Sequence, residues 1–203
     1  MYRKCIKRIL DIAFSLLLLP FFVIIFLIVA PGILIDDFGP IFYNAKRLGK
    51  DGKIFKMYKF RSMKVNAPDL RNDDGSTFNS ENDIRVTHVG RILRKTSIDE
   101  IPQILNVLKG DMSVIGPRPD LPDAIKLYSE ETKQKLKVLP GITGYSQAYY
   151  RNSSTLEERF AGDVYYAKRV SFILDIKIIL QTIKTVVMKK NVYRNQGETN
   201  ENN

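Results

Sequence analysis

From Ile12 to Ile35 the chain reads "IAFSLLLLPFFVIIFLIVAPGILI", without a single charged residue. As a straight helix at about 1.5 Å per residue this run reaches roughly 36 Å, more than the hydrocarbon core of a bilayer, about 30 Å. It is a membrane segment. A cleaved signal peptide shares the basic flank Arg3, Lys4, Lys7 and Arg8, but its apolar run is about 7–15 residues and ends in a small-x-small cleavage site, which is missing here. Pro20 lies inside the run and removes a helical hydrogen bond, so a break is expected there, with a second at Pro31-Gly32. Basic residues follow as well as precede it, among them Lys46, Arg47, Lys50 and Lys53. The positive-inside rule therefore gives no orientation, and a spanning helix and a re-entrant one both fit.

The remainder of the 203 residues suffices for one domain with a real core. A net charge of +10 calls for a polyanionic partner: nucleic acid, anionic lipid or a phosphorylated substrate. Cys5 is the single cysteine and His88 the single histidine. That excludes an internal disulfide framework, a cysteine-rich metal site and, in practice, a Ser-His-Asp triad. Cys5 reads as a small residue at a membrane edge and His88 as a surface residue.

Two short aromatic and β-branched runs surround Asp51-Gly52, a dipeptide that favours the positive φ of a tight turn, so a β-hairpin is expected. Asn66 to Asp83 is polar and turn-rich, a long loop. A basic amphipathic helix is expected from Leu121 to Leu139, and one or two helices over "DVYYAKRVSFILDIKIILQTIKTVVMKK". In the latter Leu174, Ile178, Ile179, Ile183, Val186 and Val187 form an apolar side, with Lys177, Lys184, Lys189 and Lys190 placed to meet anionic lipid headgroups. The expected fold class is α+β, mostly α. Its organisation is a membrane segment over residues 1–36, a catalytic domain over 37–194, and a disordered tail over 195–203.

"RKTSIDEIPQILNVLKG", Arg94 to Gly110, carries the acids. Ser97 and Glu100 form a Ser-x-x-Glu capping box, and Asp99 would occupy the first turn of the helix that follows, where the dipole favours an anion. Lys109-Gly110 is a plausible stop. Capping does not explain the polar stripe Asp99, Gln103 and Asn106 in a segment otherwise rich in Ile, Leu and Val. Nearby, Gly116-Pro117-Arg118-Pro119 presents an arginine on a stiff backbone; Arg151 follows a second glycine loop, and Arg94 precedes Asp99 by about a turn. Arginines that neutralise phosphoryl oxygens, with carboxylates able to hold Mg²⁺, point to phosphate chemistry. Neither a Walker loop nor a dinucleotide-binding glycine fingerprint is present.

Five stretches in order, "YKFRSM" (58–63), "LRKTSIDEIPQ" (93–103), "NVLKGDMS" (106–113), "GPRP" (116–119) and "PGITG" (140–144), resemble the bacterial sugar transferase family of monotopic phosphoglycosyl transferases, in its minimal catalytic form. The resemblance implies transfer of a sugar 1-phosphate from a UDP-sugar to undecaprenyl phosphate, with release of UMP, at the cytoplasmic face of the bacterial inner membrane. It implies a re-entrant membrane helix. In family terms Asp99 is the nucleophile and forms a phosphosugar-aspartyl intermediate, and Glu100 shares Mg²⁺ with it. Arg118 and Arg151 match phosphate-binding positions, Arg94 matches one near the acids, and Lys59 is a weaker candidate. The family breaks its helix at a Ser-Pro pair that would fall near Val23-Ile24, whereas this chain has its proline about a turn earlier, at Leu19-Pro20; Tyr145 replaces a common Trp, and "AYYR" (148–151) replaces Val-Asn-Gly-Arg. Two rivals are direct displacement with Asp99 or Glu100 as base, and a membrane-tethered module for polyanions. No basic platform interleaved with aromatic residues is present, so nucleic acid is not an expected partner.

Overall fold

The computed structural model describes residues 2–70, 80, 82–150 and 154–188. Arg151, most of the expected loop at 66–83, Lys189-Lys190 and the expected tail lie outside them.

Helix α1, Lys7–Asp36, takes up the expected membrane segment and runs through both Pro20 and Pro31 as one helix. The break expected at Pro20 is therefore no interruption of the helix. A proline has a helical φ and deletes one hydrogen bond, and packing on either side of it, by Leu18, Leu19 and Phe22, holds the helix together. α1 has two faces, both largely apolar. Asp11, Ser15, Phe22, Ala30 and Ile33 are buried against the rest of the chain, whereas Ile9, Leu17, Phe21, Ile24, Leu27, Ile28 and Ile35 face outward. It is the one helix among the described residues long and apolar enough to cross a membrane, and only 17% of its most apolar window is buried.

Strands β1, Phe42–Leu48, and β2, Ile54–Phe60, form the expected antiparallel hairpin. Its turn has Asp51 at φ 56° and Gly52 at φ 75°, the positive values that this dipeptide accommodates. Phe42 pairs with Phe60 in register, and the two rings lie 5.5 Å apart. Phe22 and Phe26 of α1 join them at 6.2 and 5.7 Å. Leu93 and Ile104 complete this cluster, so α1 is part of the main core rather than an appendage.

Two helices carry the acidic segment: α2, His88–Thr96, and α3, Gln103–Lys109. α3 stops at Gly110, φ 97°, as expected. Strands β3, Ser113–Ile115, and β4, Gly141–Thr143, pair in parallel. Their glycines permit the pairing: a Cβ on Gly116 would stand 2.3 Å from the Leu139 carbonyl oxygen, and one on Gly141 would stand 2.0 Å from the Gly116 nitrogen. That contact fixes the "GPRP" loop against "PGITG".

The helix expected from Leu121 to Leu139 is instead two short 3₁₀ segments, Pro122–Leu127 and Thr132–Lys137. Lys135 is drawn inward to buried carboxylates, which a helix lying flat on a membrane would not permit. The last region is two helices after α4, Tyr145–Tyr149: α5, Leu156–Lys168, and α6, Phe172–Val187. α5 begins with a true capping box between Thr155 and Glu158. On α6 the expected apolar side divides. Ile178 is fully buried, Ile183 is exposed, and the outward face consists of Phe172, Ile173, Ile176, Leu180 and Ile183, with Lys177 and Lys184 exposed beside it.

Candidate active site

The acids do not sit on a helix start. Ser97 ends α2 with φ 59°, a left-handed conformation uncommon for serine, and makes no side-chain cap. Ile98–Glu100 is a single 3₁₀ turn, and α3 begins only after Pro102. The expected box between Ser97 and Glu100 is absent because Glu100 has a stronger partner. Its Oε1 accepts a hydrogen bond from Lys59 Nζ at 3.2 Å. Ile98 and Ile101, either side of the acids, pack into the cluster of Phe22 and Ile33. The turn is thus pinned to α1 by its apolar residues while its carboxylates point at the hairpin.

Lys59 reaches them by strand geometry. Alternate residues of a strand share a face, and Met57, two positions before Lys59, packs on Val107 and Met112 at α3. The Lys59 ammonium lies 2.8 Å from Asp99 Oδ2 and 3.2 Å from Glu100 Oε1. Asp99 is 2% exposed. Burial pushes its carboxyl above the usual carboxylate range; the Lys59 ammonium opposes this, and the neighbouring Glu100 charge adds to it. Burial alone would pull Lys59 toward neutrality, but Asp99 and Glu100 outweigh it and its pKa is raised.

Arg118 stands at the rim, Nη2 3.8 Å from Glu100 Oε1, its side chain 47% exposed. Arg94 is anchored by Ser62. Its Nε donates to Ser62 Oγ at 2.9 Å, yet it is near enough to stabilise the Asp99 charge. The site thus unites Asp99, Glu100, Lys59 and Arg118, with Arg94 behind them. Of the polar stripe, Asn106 is structural. Its Oδ1 accepts from the Tyr58 amide at 2.8 Å, and its Nδ2 donates to the Lys56 carbonyl at 2.7 Å. It staples α3 to β2.

Sequence reasoning ranked Lys59 low, although the alternation of Ile54–Phe60 carried the signal. It missed a second ion cluster altogether. Lys135 Nζ lies 2.7 Å from Asp120 Oδ2 and 2.5 Å from Asp163 Oδ2, all three buried or nearly so. Tyr128 donates to Asp120 at 2.7 Å and Ser146 to Asp163 at 2.9 Å. Asp120 is two residues from Arg118, and its carbonyl accepts from the Leu48 amide at 2.9 Å. The cluster therefore anchors the arginine loop to α5 and to the hairpin. Beside it, Tyr145 gathers Tyr149 and Tyr165 at 4.7 and 4.8 Å.

Replacing Lys59 by methionine strips Asp99 and Glu100 of the ammonium between them, so the Asp99 pKa rises further. If its ionised form reacts, turnover falls by about 10²–10³-fold. The acid limb of the pH–rate profile moves to higher pH, because more base is then needed to ionise it. Lys59→Arg retains a cation and recovers part of the loss. Steady-state rates from pH 5.5 to 9 measure both effects.

A family model described as bacterial sugar transferase matches residues 2–189. The uncharacterized sugar transferase EpsL of Bacillus subtilis is 39% identical over 196 residues, 97% of this chain and 94% of that protein. The undecaprenyl-phosphate galactose phosphotransferase of Salmonella typhimurium is 37% identical over 208 residues, and the UDP-glucose:undecaprenyl-phosphate glucose-1-phosphate transferase of Klebsiella pneumoniae is 40% identical over 195. These matches cover 94% and 92% of this chain but 42% and 41% of those longer proteins. With a match that takes in α1, the acidic turn, the Arg118 loop and α6 alike, the chain belongs to the bacterial sugar transferase family.

Proposed function

We propose that this protein transfers a sugar 1-phosphate from a UDP-sugar to undecaprenyl phosphate, the opening membrane step of glycan assembly. The names of the Salmonella and Klebsiella relatives support the donor and acceptor classes. The observation that carries the reading is the placement of Asp99 and Glu100: converged on one ammonium, on a turn packed against the apolar helix α1. Such a turn lies where a water-soluble diphosphate and a lipid phosphate can both arrive.

In the first step an Asp99 carboxylate oxygen attacks the sugar-bearing phosphorus. The bond to the bridging oxygen breaks, and UMP leaves with its electron pair. In the second, an oxygen of the lipid phosphate attacks the same phosphorus, and the aspartyl bond breaks to restore the carboxylate. Two easier displacements replace one between two anions. Lys59 holds Asp99 ionised and oriented, Arg118 at the rim meets the incoming diphosphate, and Arg94 adds positive charge.

Asp99 and Glu100 fit a magnesium site of the two-carboxylate kind. Both already share one cation, and among the described residues no cluster of three or more acidic, His or Cys side chains forms a complete protein cage. Mg²⁺ characteristically takes one or two carboxylates and completes its shell from phosphates and water. When bound it supplies charge neutralisation at the phosphoryl oxygens.

A re-entrant seat, with both ends of α1 on one side of the membrane, is supported by the bonds those ends make, and the nucleotide donor of this reading makes that side the cytoplasmic face of the inner membrane. Lys7 and Arg8 at one end, and Asp36 and Asp37 at the other, bond to the same domain. A helix that crossed the bilayer would put about 30 Å of hydrocarbon between one of these ends and the domain it bonds to. The outward faces of α1 and α6 then meet lipid, with Lys177 and Lys184 at anionic headgroups.

Release of UMP across a panel of UDP-sugars, with undecaprenyl phosphate and Mg²⁺ in bilayer nanodiscs, tests the reading. Ping-pong kinetics with at least one UDP-sugar is expected. No UMP from any donor overturns it, and sequential kinetics without a labelled protein species favours direct displacement.

A further inference from the structure

The charged residues that bound the membrane segment are spent in an unusual way. At one end Asp36 Oδ2 accepts the Val89 amide, near the start of α2, at 2.6 Å, and its Oδ1 lies 3.3 Å from His88 Nδ1. At the other end Arg8 donates through Nη1 to the Val107 carbonyl at 2.6 Å and through Nη2 to the Leu108 carbonyl at 3.1 Å, at the end of α3. A carboxylate thus closes the amino end of the helix before the acids, and a guanidinium closes the carboxyl end of the helix after them. Each charge matches the terminal dipole it meets. Midway, Ile98 and Ile101 of the acidic turn rest in the Phe22 and Ile33 cluster. One helix therefore grips the Asp99 segment at both ends and in the middle.

Resting on the transferase reading above, we infer that Arg8 and Asp36 are positioning residues for the lipid half of the reaction. They transmit the seat of α1 in the bilayer to the height of Asp99, so that the acceptor phosphate meets it. The nucleotide donor comes from water past Arg118 and does not depend on that height. Loss of either grip therefore leaves the donor half-reaction in place and misaligns the acceptor half.

The test uses the full chain in nanodiscs, with Arg8→Met and Asp36→Ala, and with Arg8→Lys and Asp36→Asn as conservative partners. Two rates are measured: the single-turnover burst of UMP without acceptor, and discharge of the labelled protein by undecaprenyl phosphate. Hydrogen–deuterium exchange of the 98–101 amides is measured alongside. The burst is expected to stay within about 2-fold of wild type while discharge falls by about 10-fold or more, given the cost of ångström-scale misplacement. Exchange at 98–101 rises, and the conservative variants lie between. A parallel fall in both half-reactions means a general structural role and overturns the inference. Unchanged discharge, or unchanged exchange at 98–101, overturns it too. If wild type releases no UMP from any donor, the transferase reading fails on its own account. The positioning role for a lipid acceptor then falls with it, while the exchange data still show whether the grip exists.

Discussion

Asp99→Asn is expected to lower turnover by at least about 10⁴-fold, the scale seen when a covalent nucleophile is removed. The amide has the shape of the carboxylate and retains an oxygen for Lys59, and Glu100 still engages that ammonium at 3.2 Å. The fold should therefore survive, and the thermal midpoint should remain close to that of wild type. Both half-reactions fail together: no UMP burst and no radiolabel on the protein from a labelled UDP-sugar. A rapid-quench experiment with sugar-phosphate label distinguishes the possibilities. Label retained by Asp99→Asn would move the nucleophile elsewhere. Slow transfer without label in either protein would favour direct displacement with a carboxylate as base.

The second large effect concerns stability. Lys135→Met leaves Asp120 and Asp163 inside the protein without the ammonium that lay 2.7 and 2.5 Å from them. Breaking a buried ion pair from one side costs about 3–5 kcal/mol, because the remaining charge is neither solvated nor paired. Two carboxylates share the loss here, though Tyr128 and Ser146 still donate to them. Adding Asp163→Asn removes one of the stranded charges and should recover part of the deficit. Chemical denaturation of the four proteins of this double-mutant cycle, in one detergent, gives the coupling. A coupling near zero would mean that the Phe160 and Tyr128 rings around Lys135, rather than its charge, do the stabilising.

Local signals were legible where local physics decides. Asp51-Gly52 announced a turn whose φ values are positive at both residues, and Gly110 ended α3 as glycine commonly does. The acidic segment misled because its capping pattern was sound but outbid. Ser97-x-x-Glu100 could have capped a helix had Lys59, 41 residues away along the chain, not claimed the glutamate. The same pattern went unnoticed at Thr155-x-x-Glu158, where no such competitor acts and the box forms. Lys135 carried no signal for a related reason: a lysine in a basic, amphipathic stretch has nothing local to set it apart until its distant partners, Asp120 and Asp163, are known. On α6 the periodicity gave a helix but not which side faces inward, because both faces carry apolar side chains and Asp175 is fixed inside by Lys7 and Tyr166. Arg94, Arg118 and the acids were found together because their motifs lie close in the chain. Ser62 lies in the YKFRSM stretch, but nothing next to it in the chain announces its partner Arg94, 32 residues on.

The stacked rings of Phe22, Phe26, Phe42 and Phe60 tie the docking of α1 to maturation of the domain. An anchor joined by a flexible tether could be clipped off to yield a water-soluble catalyst. Here, deleting the first 36 residues would lay bare Phe60, Leu93 and Ile104 and leave the buried Asp175 carboxylate with Tyr166 but without the Lys7 ammonium that neutralises it. Acquisition of the native state and docking of α1 are therefore one event, and the catalytic residues have no finished scaffold until that helix is in place.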